Sequence, residues 1–126
     1  MSILYSKIQR INPQHPEDES QWYISPHRVG RKSEKEIAEA LTKNTTLSKG
    51  EAMLVLYELQ SVVIDSLLDG YTVQIGDWGS FQLTVSCKGS PSKTECTTDK
   101  IKSVNIRFRP GKEMKEALTK ASFRSL

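Results

Sequence analysis

The chain has 126 residues, of which 37% are hydrophobic, and this suffices for one compact domain with a modest core. No stretch approaches the roughly 20 apolar residues of a membrane span, and the charges in its first ten residues do not fit a signal peptide, so we expect a cytoplasmic protein. Eighteen basic residues against 15 acidic ones give a net charge of +3, which excludes neither a nucleic-acid binder nor an ordinary soluble protein.

The distribution of charge is more informative than its sum. Residues 33–70 carry three basic and seven acidic side chains, a net charge of −4, whereas residues 100–126 carry eight basic and two acidic ones, a net charge of +6. Such asymmetry indicates a cationic surface directed at an anionic partner. The alternative is a solvated basic face with no special role.

Neither a metal centre nor an enzyme site is expected. A structural zinc site needs four ligands, but the chain has two cysteines and two histidines, and the histidines lie far from the cysteines in sequence. It contains no glycine-rich phosphate loop, and no serine or cysteine has a plausible neighbouring base. We therefore expect no catalysis, no cofactor and no metal.

The chain begins with two predicted strands. Residues 3–11 are rich in β-branched and aromatic side chains, and residues 21–25 have the same character. The residues between them include two prolines and several turn formers. The pattern predicts a hairpin with a long loop, followed by a linker up to residue 32.

Two capped helices follow. Ser33 with Glu36, and Ser48 with Glu51, have the spacing of a capping box, in which serine and glutamate satisfy each other's backbone amides. The second helix is predicted to end at Gly70. Its apolar residues cover more than one stripe, which in so small a domain indicates contact with a partner subunit.

The second half of the chain is predicted to form three strands and a short helix. Residues 71–75 lead into a turn, and from Phe81 to Cys87 apolar and polar side chains alternate. A polar stretch over 89–99 separates this strand from a second alternating run, which starts near Lys100. The alternation predicts a sheet with an apolar underside and a polar, partly basic upper side. After Pro110-Gly111, residues 112–120 are predicted to be helical.

Two segments of this second half resemble those of the bacterial histone-like HU and integration host factor family. Gly76-Asp77-Trp78-Gly79-Ser80-Phe81 is similar to the family's Gly-Phe-Gly-Thr-Phe-type turn, and Arg107-Phe108-Arg109-Pro110-Gly111-Lys112 to its Phe-Lys-Pro-Gly-Lys segment. The resemblance covers about residues 33–123. Residues 1–32 resemble the extra N-terminal segment of a variant branch of the family.

The resemblance implies an α+β protein with an HU-like fold: a helical body plus a three-stranded antiparallel sheet with an extended β-arm at about 84–104. It divides the chain into an N-terminal hairpin and linker (1–32) and a DNA-binding domain (33–126). It further implies a homodimer that binds duplex DNA in the nucleoid with little sequence preference, without a membrane or a small-molecule substrate. In that family the arms enter the minor groove, and a proline at each tip wedges between base pairs.

Candidate DNA-binding residues follow from the resemblance and from the charge pattern. They lie on the last strand, beside it and on the arm: Arg107, Arg109, Lys112, Lys100, Lys102, Lys88, Lys93 and Pro91. Pro91 is either a wedge or a plain turn former, because the arm lacks the family's Arg-Asn prelude. The arm contains no arginine, which predicts a shallow salt dependence and leaves a rival function open: a protein-interaction or structural module with weak or lost DNA binding.

Two registers of the arm remain open. A hairpin centred between Pro91 and Ser92 opposes Cys87 and Cys96, whose Cβ atoms would then approach disulfide distance. Pairing Phe81 with Phe108 instead centres the arm near residues 94–95 and separates the cysteines. A bulge could reconcile the two registers. In a reducing compartment we expect free thiols.

Overall fold

The computed structural model describes all 126 residues, in three α-helices and six strands. In chain order these are β1 (Ile3–Arg10), β2 (Gln21–Pro26), α1 (Glu34–Thr42), α2 (Lys49–Leu68), β3 (Val73–Ile75), β4 (Gly79–Cys87), β5 (Ile101–Pro110), α3 (Lys112–Leu118) and β6 (Phe123–Ser125). Thr98–Lys100 form a single 3-10 turn before β5. None of the helices is both long enough and apolar enough to cross a bilayer.

The first backbone amides of a helix have no partner within the helix, so side chains at the helix start can stabilise it by accepting hydrogen bonds from them. At α2 the predicted capping box is confirmed: the Glu51 amide donates to the Ser48 hydroxyl at 3.1 Å, and the Ser48 amide donates to Glu51 Oε1 at 3.2 Å. Gly70, at φ +92°, follows α2 in the left-handed region that glycine tolerates best. The capping box predicted at Ser33 is wrong, because Ser33 starts α1 only through its carbonyl, which accepts from the Ile37 amide.

β3, β4 and β5 form an antiparallel sheet in that order, which we call the arm sheet. Its register pairs Phe81 with Phe108, the second of the two alternatives, and the two rings lie 4.9 Å apart. A bulge is present after Ser86, but it places Cys87 opposite Ile101 and not opposite Cys96. Both cysteines are free, as expected.

β2, β1 and β6 form a second three-stranded sheet, which we call the N-terminal sheet. β1 and β2 are the predicted hairpin, paired from Tyr5–Pro26 to Arg10–Gln21. The sequence pattern missed β6, in which Phe123 lies beside Ile3 in a parallel ladder. Three residues are too few to show an alternating pattern, so only the folded chain reveals that its last strand joins the first.

A single copy of the chain has almost no interior. Only four residues are buried, namely Ala38, Ala52, Leu67 and Gly79. Helix α2 alone exposes seven large apolar side chains: Leu54, Val55, Tyr57, Leu59, Val62, Ile64 and Leu68. Isolated soluble domains rarely expose so much contiguous apolar surface. This extent confirms that α2 presents apolar side chains well beyond the stripe that contacts α1.

Candidate nucleic-acid interface

One face of the arm sheet is polar from edge to edge. Residues directly opposite each other in an antiparallel ladder point to the same side. Ser80 pairs with Arg109, Gln82 with Arg107, and Thr84 with Asn105, so these side chains share one face. We call this the polar face; it continues onto β3 through Gln74 and towards the arm through Ser86 and Ser103. None of these nine residues is acidic.

The opposite face of the same sheet is apolar. It carries Phe81, Leu83 and Val85 of β4, paired with Phe108, Ile106 and Val104 of β5. The separation into two faces confirms the expectation from alternation. Trp78 adds a third ring, with its centroid 6.0 Å from that of Phe81, so the aromatic residues pack with one another.

The cations of the polar face have no acidic partner. Arg107 and Arg109 are exposed, and neither lies within ion-pair distance of a carboxylate; the chain's one lysine–carboxylate pair, Lys49–Glu39, and its one close histidine–carboxylate contact, His15–Glu17, lie elsewhere. A guanidinium presents five donors in a planar fork that matches the oxygens of a phosphate. The polar face therefore offers two free guanidinium groups surrounded by neutral hydroxyl and amide groups.

Two backbone segments approach each other closely at the end of this face that carries Arg109. We call this close approach the crossing. The Gly111 amide donates to the Trp78 carbonyl at 2.9 Å, and a Cβ atom at position 111 would run into the Asp77 carbonyl. At Gly79, a Cβ atom would lie 2.6 Å from the Arg109 carbonyl oxygen. The 76–79 turn thus fits directly against the end of β5, which positions Arg109. Asp77 contributes its backbone to this close approach.

Lys112 lies next to this crossing. It is the first residue of α3, immediately after Gly111, and its side chain is exposed. The chain order Arg109-Pro110-Gly111-Lys112 therefore places a third free cation close to the end of β5. Arg107, Arg109 and Lys112 are all among the candidate DNA-binding residues predicted from the sequence. In the structure all three lie at the same end of the arm sheet.

The lysines at the start of the arm are also brought together. The Lys88 amide donates to the Lys100 carbonyl at 3.0 Å, so two lysines meet across the arm. The ladder pairs Ser86 with Ser103 and then Cys87 with Ile101, which leaves Lys102 as the extra residue of the bulge. A bulge redirects side chains locally, so Lys102 does not follow the strict alternation of β5.

The arm ends in an irregular tip between Cys87 and Thr98. The Cys96 amide donates to the Lys93 carbonyl at 3.2 Å, and the Ser90 hydroxyl donates to the Glu95 carbonyl at 3.5 Å. Pro91 and Lys93 are exposed at this tip, apart from the arginines of the polar face. The tip is thus a compact turn rather than a continuation of the ladder.

Sequence reasoning missed the neutral members of the polar face. Gln82, Thr84 and Asn105 lie between or beside the arginines, and all three can hydrogen-bond an anionic ligand. The alternation that exposed the arginines also marks these residues. No group of three histidine, cysteine, aspartate or glutamate side chains lies close enough to hold a metal ion.

Comparisons with known proteins were made on the sequence and on the fold. A model of the family described as "HU domain fused to wHTH, Ig, or Glycine-rich motif" matches residues 1–125. A comparison with curated protein sequences found no significant match. Among solved structures, an HU mutant from Thermotoga maritima is 23% identical, with a TM-score of 0.52; the match covers 69% of this chain and 99% of that one.

Two further structures extend this comparison. The Anabaena HU of an HU–DNA cocrystal structure is 18% identical with a TM-score of 0.56, and the match covers 71% of this chain and 99% of that one. A Bacteroides vulgatus protein described as a candidate bacterial DNA-binding protein is 13% identical with a TM-score of 0.71. That match covers 99% of this chain and 48% of the other, so this chain spans about half of that protein. The likenesses show an α+β, HU-like fold.

Proposed function

The chain belongs to the family of HU domains fused to a wHTH, Ig or glycine-rich motif, and we propose that it is a non-catalytic, architectural DNA-binding protein. In this proposal it binds duplex DNA as a homodimer with little sequence preference, on the bacterial nucleoid. The observation that carries the proposal is the polar face, with Arg107 and Arg109 unpaired and no carboxylate beside them. The similar Anabaena HU was crystallised with DNA, which gives independent support.

The chemistry of the polar face suits a phosphate backbone better than base edges. Arginine and lysine neutralise phosphates and release counterions, which gives affinity without sequence preference. Neutral groups such as Gln82, Thr84 and Asn105 can donate to phosphate oxygens between the charges. A carboxylate on this face would repel the ligand, and none is present.

The lysines of the arm support the same ligand. Lys88 and Lys100 meet across the arm, and like charges placed opposite each other destabilise a sheet. A phosphate held between them would relieve this repulsion. We propose Lys88, Lys100, Lys102 and Lys112 as further phosphate contacts, together with Lys93 at the tip.

Pro91 has a separate part in the proposal. It is exposed at the tip of the arm, where an apolar ring can insert between base pairs and kink a duplex. Bend angles of a doubly labelled duplex, measured by energy transfer with the unsubstituted chain and with Pro91→Ala, test this part. Equal bending by both proteins restricts Pro91 to turn formation and leaves the phosphate contacts untouched.

The exposed apolar surface of α2 supports a homodimer. Seven large apolar side chains of this helix are exposed in one copy, and burying them against a second copy supplies the interior that the single chain lacks. Sedimentation at low concentration should then give at least twice the 14.2 kDa mass of one chain. A monomeric mass at micromolar concentration would contradict the dimer.

A fluorescence titration on duplexes of unrelated sequence, at low and moderate salt, tests DNA binding. The double variant Arg107→Glu, Arg109→Glu should weaken binding at least tenfold, and equally for all sequences, because it removes phosphate contacts. The control Lys35→Glu, Lys43→Glu makes the same change in net charge on α1 and at its C-cap, away from the polar face. An equal loss in both variants would show that only net charge matters and would contradict a site on the arm sheet.

The rival function has its own outcome in the same titration. An arm without arginine favours a module that keeps the HU fold but binds protein partners. If the unsubstituted protein fails to bind duplex DNA even at low salt, the DNA proposal is wrong and the interaction module takes its place.

A further inference from the structure

β2 is an edge strand with unusual composition. It reads Gln21-Trp22-Tyr23-Ile24-Ser25-Pro26, without a single charged residue, and its side away from β1 pairs with no other strand. Trp22 is 65% exposed and Ile24 62% exposed. Natural proteins usually protect such edges with lysine, a bulge or a central proline, because an open edge pairs with other strands. β2 has none of these before its last residue, Pro26.

The hydrogen-bond pattern shows which residues face the open edge. The His27 amide donates to the Leu4 carbonyl at 2.7 Å, beyond the end of the β1–β2 ladder. Hydrogen-bonded and non-hydrogen-bonded pairs alternate in an antiparallel ladder, so Ser25–Ser6 and Tyr23–Ile8 are hydrogen-bonded pairs. The amides and carbonyls of Ser25 and Tyr23 therefore point inwards, towards β1. Trp22 and Ile24 therefore direct their amides and carbonyls outwards, where the chain offers no partner.

We propose that this edge pairs antiparallel with the β2 edge of a second copy, about a two-fold axis that passes through Tyr23. In this register Trp22 lies opposite Ile24 of the second copy, and Ile24 lies opposite its Trp22. These two pairs exchange four backbone hydrogen bonds and use every outward amide and carbonyl of Trp22 and Ile24. The two N-terminal sheets join into one sheet of six strands.

The composition of β2 is what selects a second copy as the partner. Around Tyr23 the strand is symmetric in character: large apolar Trp22 and Ile24 on either side, then neutral polar Gln21 and Ser25. Aromatic residues opposite β-branched ones are favourable cross-strand pairs, and no charge faces a like charge. A register centred nearer the C-terminal end of the strand would direct Pro26, which lacks an amide hydrogen, into the ladder.

This contact is separate from α2 and from the polar face, so it does not depend on DNA binding. A homodimer formed through α2 carries two N-terminal sheets, one on each chain. Pairing through β2 then joins one such dimer to another, so the assembly grows beyond the dimer. The contact would link neighbouring DNA-bound dimers.

Disulfide trapping tests the proposed axis directly. In a Cys87→Ser, Cys96→Ser background, Tyr23→Cys places two thiols opposite each other in a non-hydrogen-bonded pair, with Cβ atoms about 4.5–5.5 Å apart. Mild oxidation without DNA should convert most of this variant into covalent dimer. The control Gln21→Cys is also at an exposed position but lies opposite Ser25 of the second copy, so it should cross-link at least tenfold more slowly. Equal rates for the two variants would overturn the proposal.

A second pair of variants separates backbone pairing from apolar contact. Ile24→Pro removes an outward amide and leaves the inward ladder intact, whereas Ile24→Thr keeps the amide and the β-branch. In sedimentation without DNA, the unsubstituted chain and Ile24→Thr should associate beyond the dimer, and Ile24→Pro should not. Circular dichroism confirms that both variants are folded. If Ile24→Thr loses as much association as Ile24→Pro, or the unsubstituted chain never associates through β2, edge pairing is wrong.

Discussion

Three charged side chains of the helical body (residues 33–70) have partners within the chain, whereas the two arginines of the polar face have none. In the body, Lys49 pairs with Glu39 at 2.7 Å, and Glu51 closes the cap of α2. In the arm sheet, Arg107 and Arg109 have no partner at all. Charges satisfied within the chain contribute to folding, whereas unpaired cations on a face without carboxylates are available to a ligand. The difference teaches that the net charge of a region does not show which of its side chains can bind a ligand. What shows it is whether each charged side chain already has a partner within the chain.

The two regions also differ in what positions them. The body depends on helix caps and on the few buried contacts between α1 and α2, such as Ala38 and Ala52. The arm sheet depends on close backbone approaches at Gly79 and Gly111. Changes at these places should therefore affect different properties of the chain.

The largest effect is expected from Gly111→Ala. The added Cβ would overlap the Asp77 backbone, which cannot move aside as a side chain can, so the free energy of unfolding should fall by about 3 kcal/mol or more. Urea unfolding measures this loss. The control Gly89→Ala adds the same atom where no other atom lies within 4 Å, and it should change stability by no more than about 0.5 kcal/mol. Similar losses in both variants would show that the crossing is not tight.

The second effect concerns the ligand and not the fold. Arg107→Gln with Arg109→Gln should lower the slope of log affinity against log salt by about 2 per chain, since each phosphate contact contributes about 0.9. Thermal unfolding should be unchanged, because neither arginine is paired in the free protein. A lowered melting temperature with an unchanged salt slope would assign these arginines to stability, as in the body.

Two serines of the body provide a smaller, matched test. Ser48→Ala removes a hydroxyl that accepts from the Glu51 amide, and it should cost about 1 kcal/mol of stability. Ser33→Ala removes a hydroxyl that accepts no hydrogen bond at the start of α1, so it should cost only a few tenths. Chemical denaturation of both variants measures the difference, and equal costs would contradict the assignment of a single functional cap.

The smallest effect is a dependence on pH. The Ser48 hydroxyl and then the Ser48 amide lower the pKa of Glu51, while the Lys49 ammonium lowers the pKa of Glu39. Both carboxyls bind protons less readily in the folded chain than in the unfolded one. Their contribution to stability is therefore complete above the ordinary value of 4.5 and is lost as the pH falls through the lowered pKa values.

Thermal unfolding from pH 6 to pH 3 measures this loss. Glu51→Gln keeps a side chain that can complete a capping box but removes the titration, so its stability should fall less steeply on acidification. Parallel curves for the variant and the unsubstituted chain would show that Glu51 does not contribute.

Much of the candidate site could be predicted from the sequence, because successive side chains of a β-strand alternate between the two faces of the sheet. Alternation along β4 and β5 assigns Gln82 and Arg107 to one face and Phe81 and Phe108 to the other in either of the two registers considered. The cap at Ser48 was predictable for a similar reason, since its partner Glu51 lies three residues away. Ser33 has the same spacing but makes no side-chain bond, so the motif permits a cap without enforcing one.

The amino-acid sequence by itself determined the helices, the two-faced strands and the basic end of the chain, because these depend on neighbours within a few residues. Tertiary structure alone decided between the two arm registers, separated Cys87 from Cys96, and joined β6 to β1. It also showed that Arg107 and Arg109 have no partners, whereas Lys49, Glu39 and Glu51 of the body do. These outcomes depend on contacts between residues far apart in the chain, which no local pattern specifies.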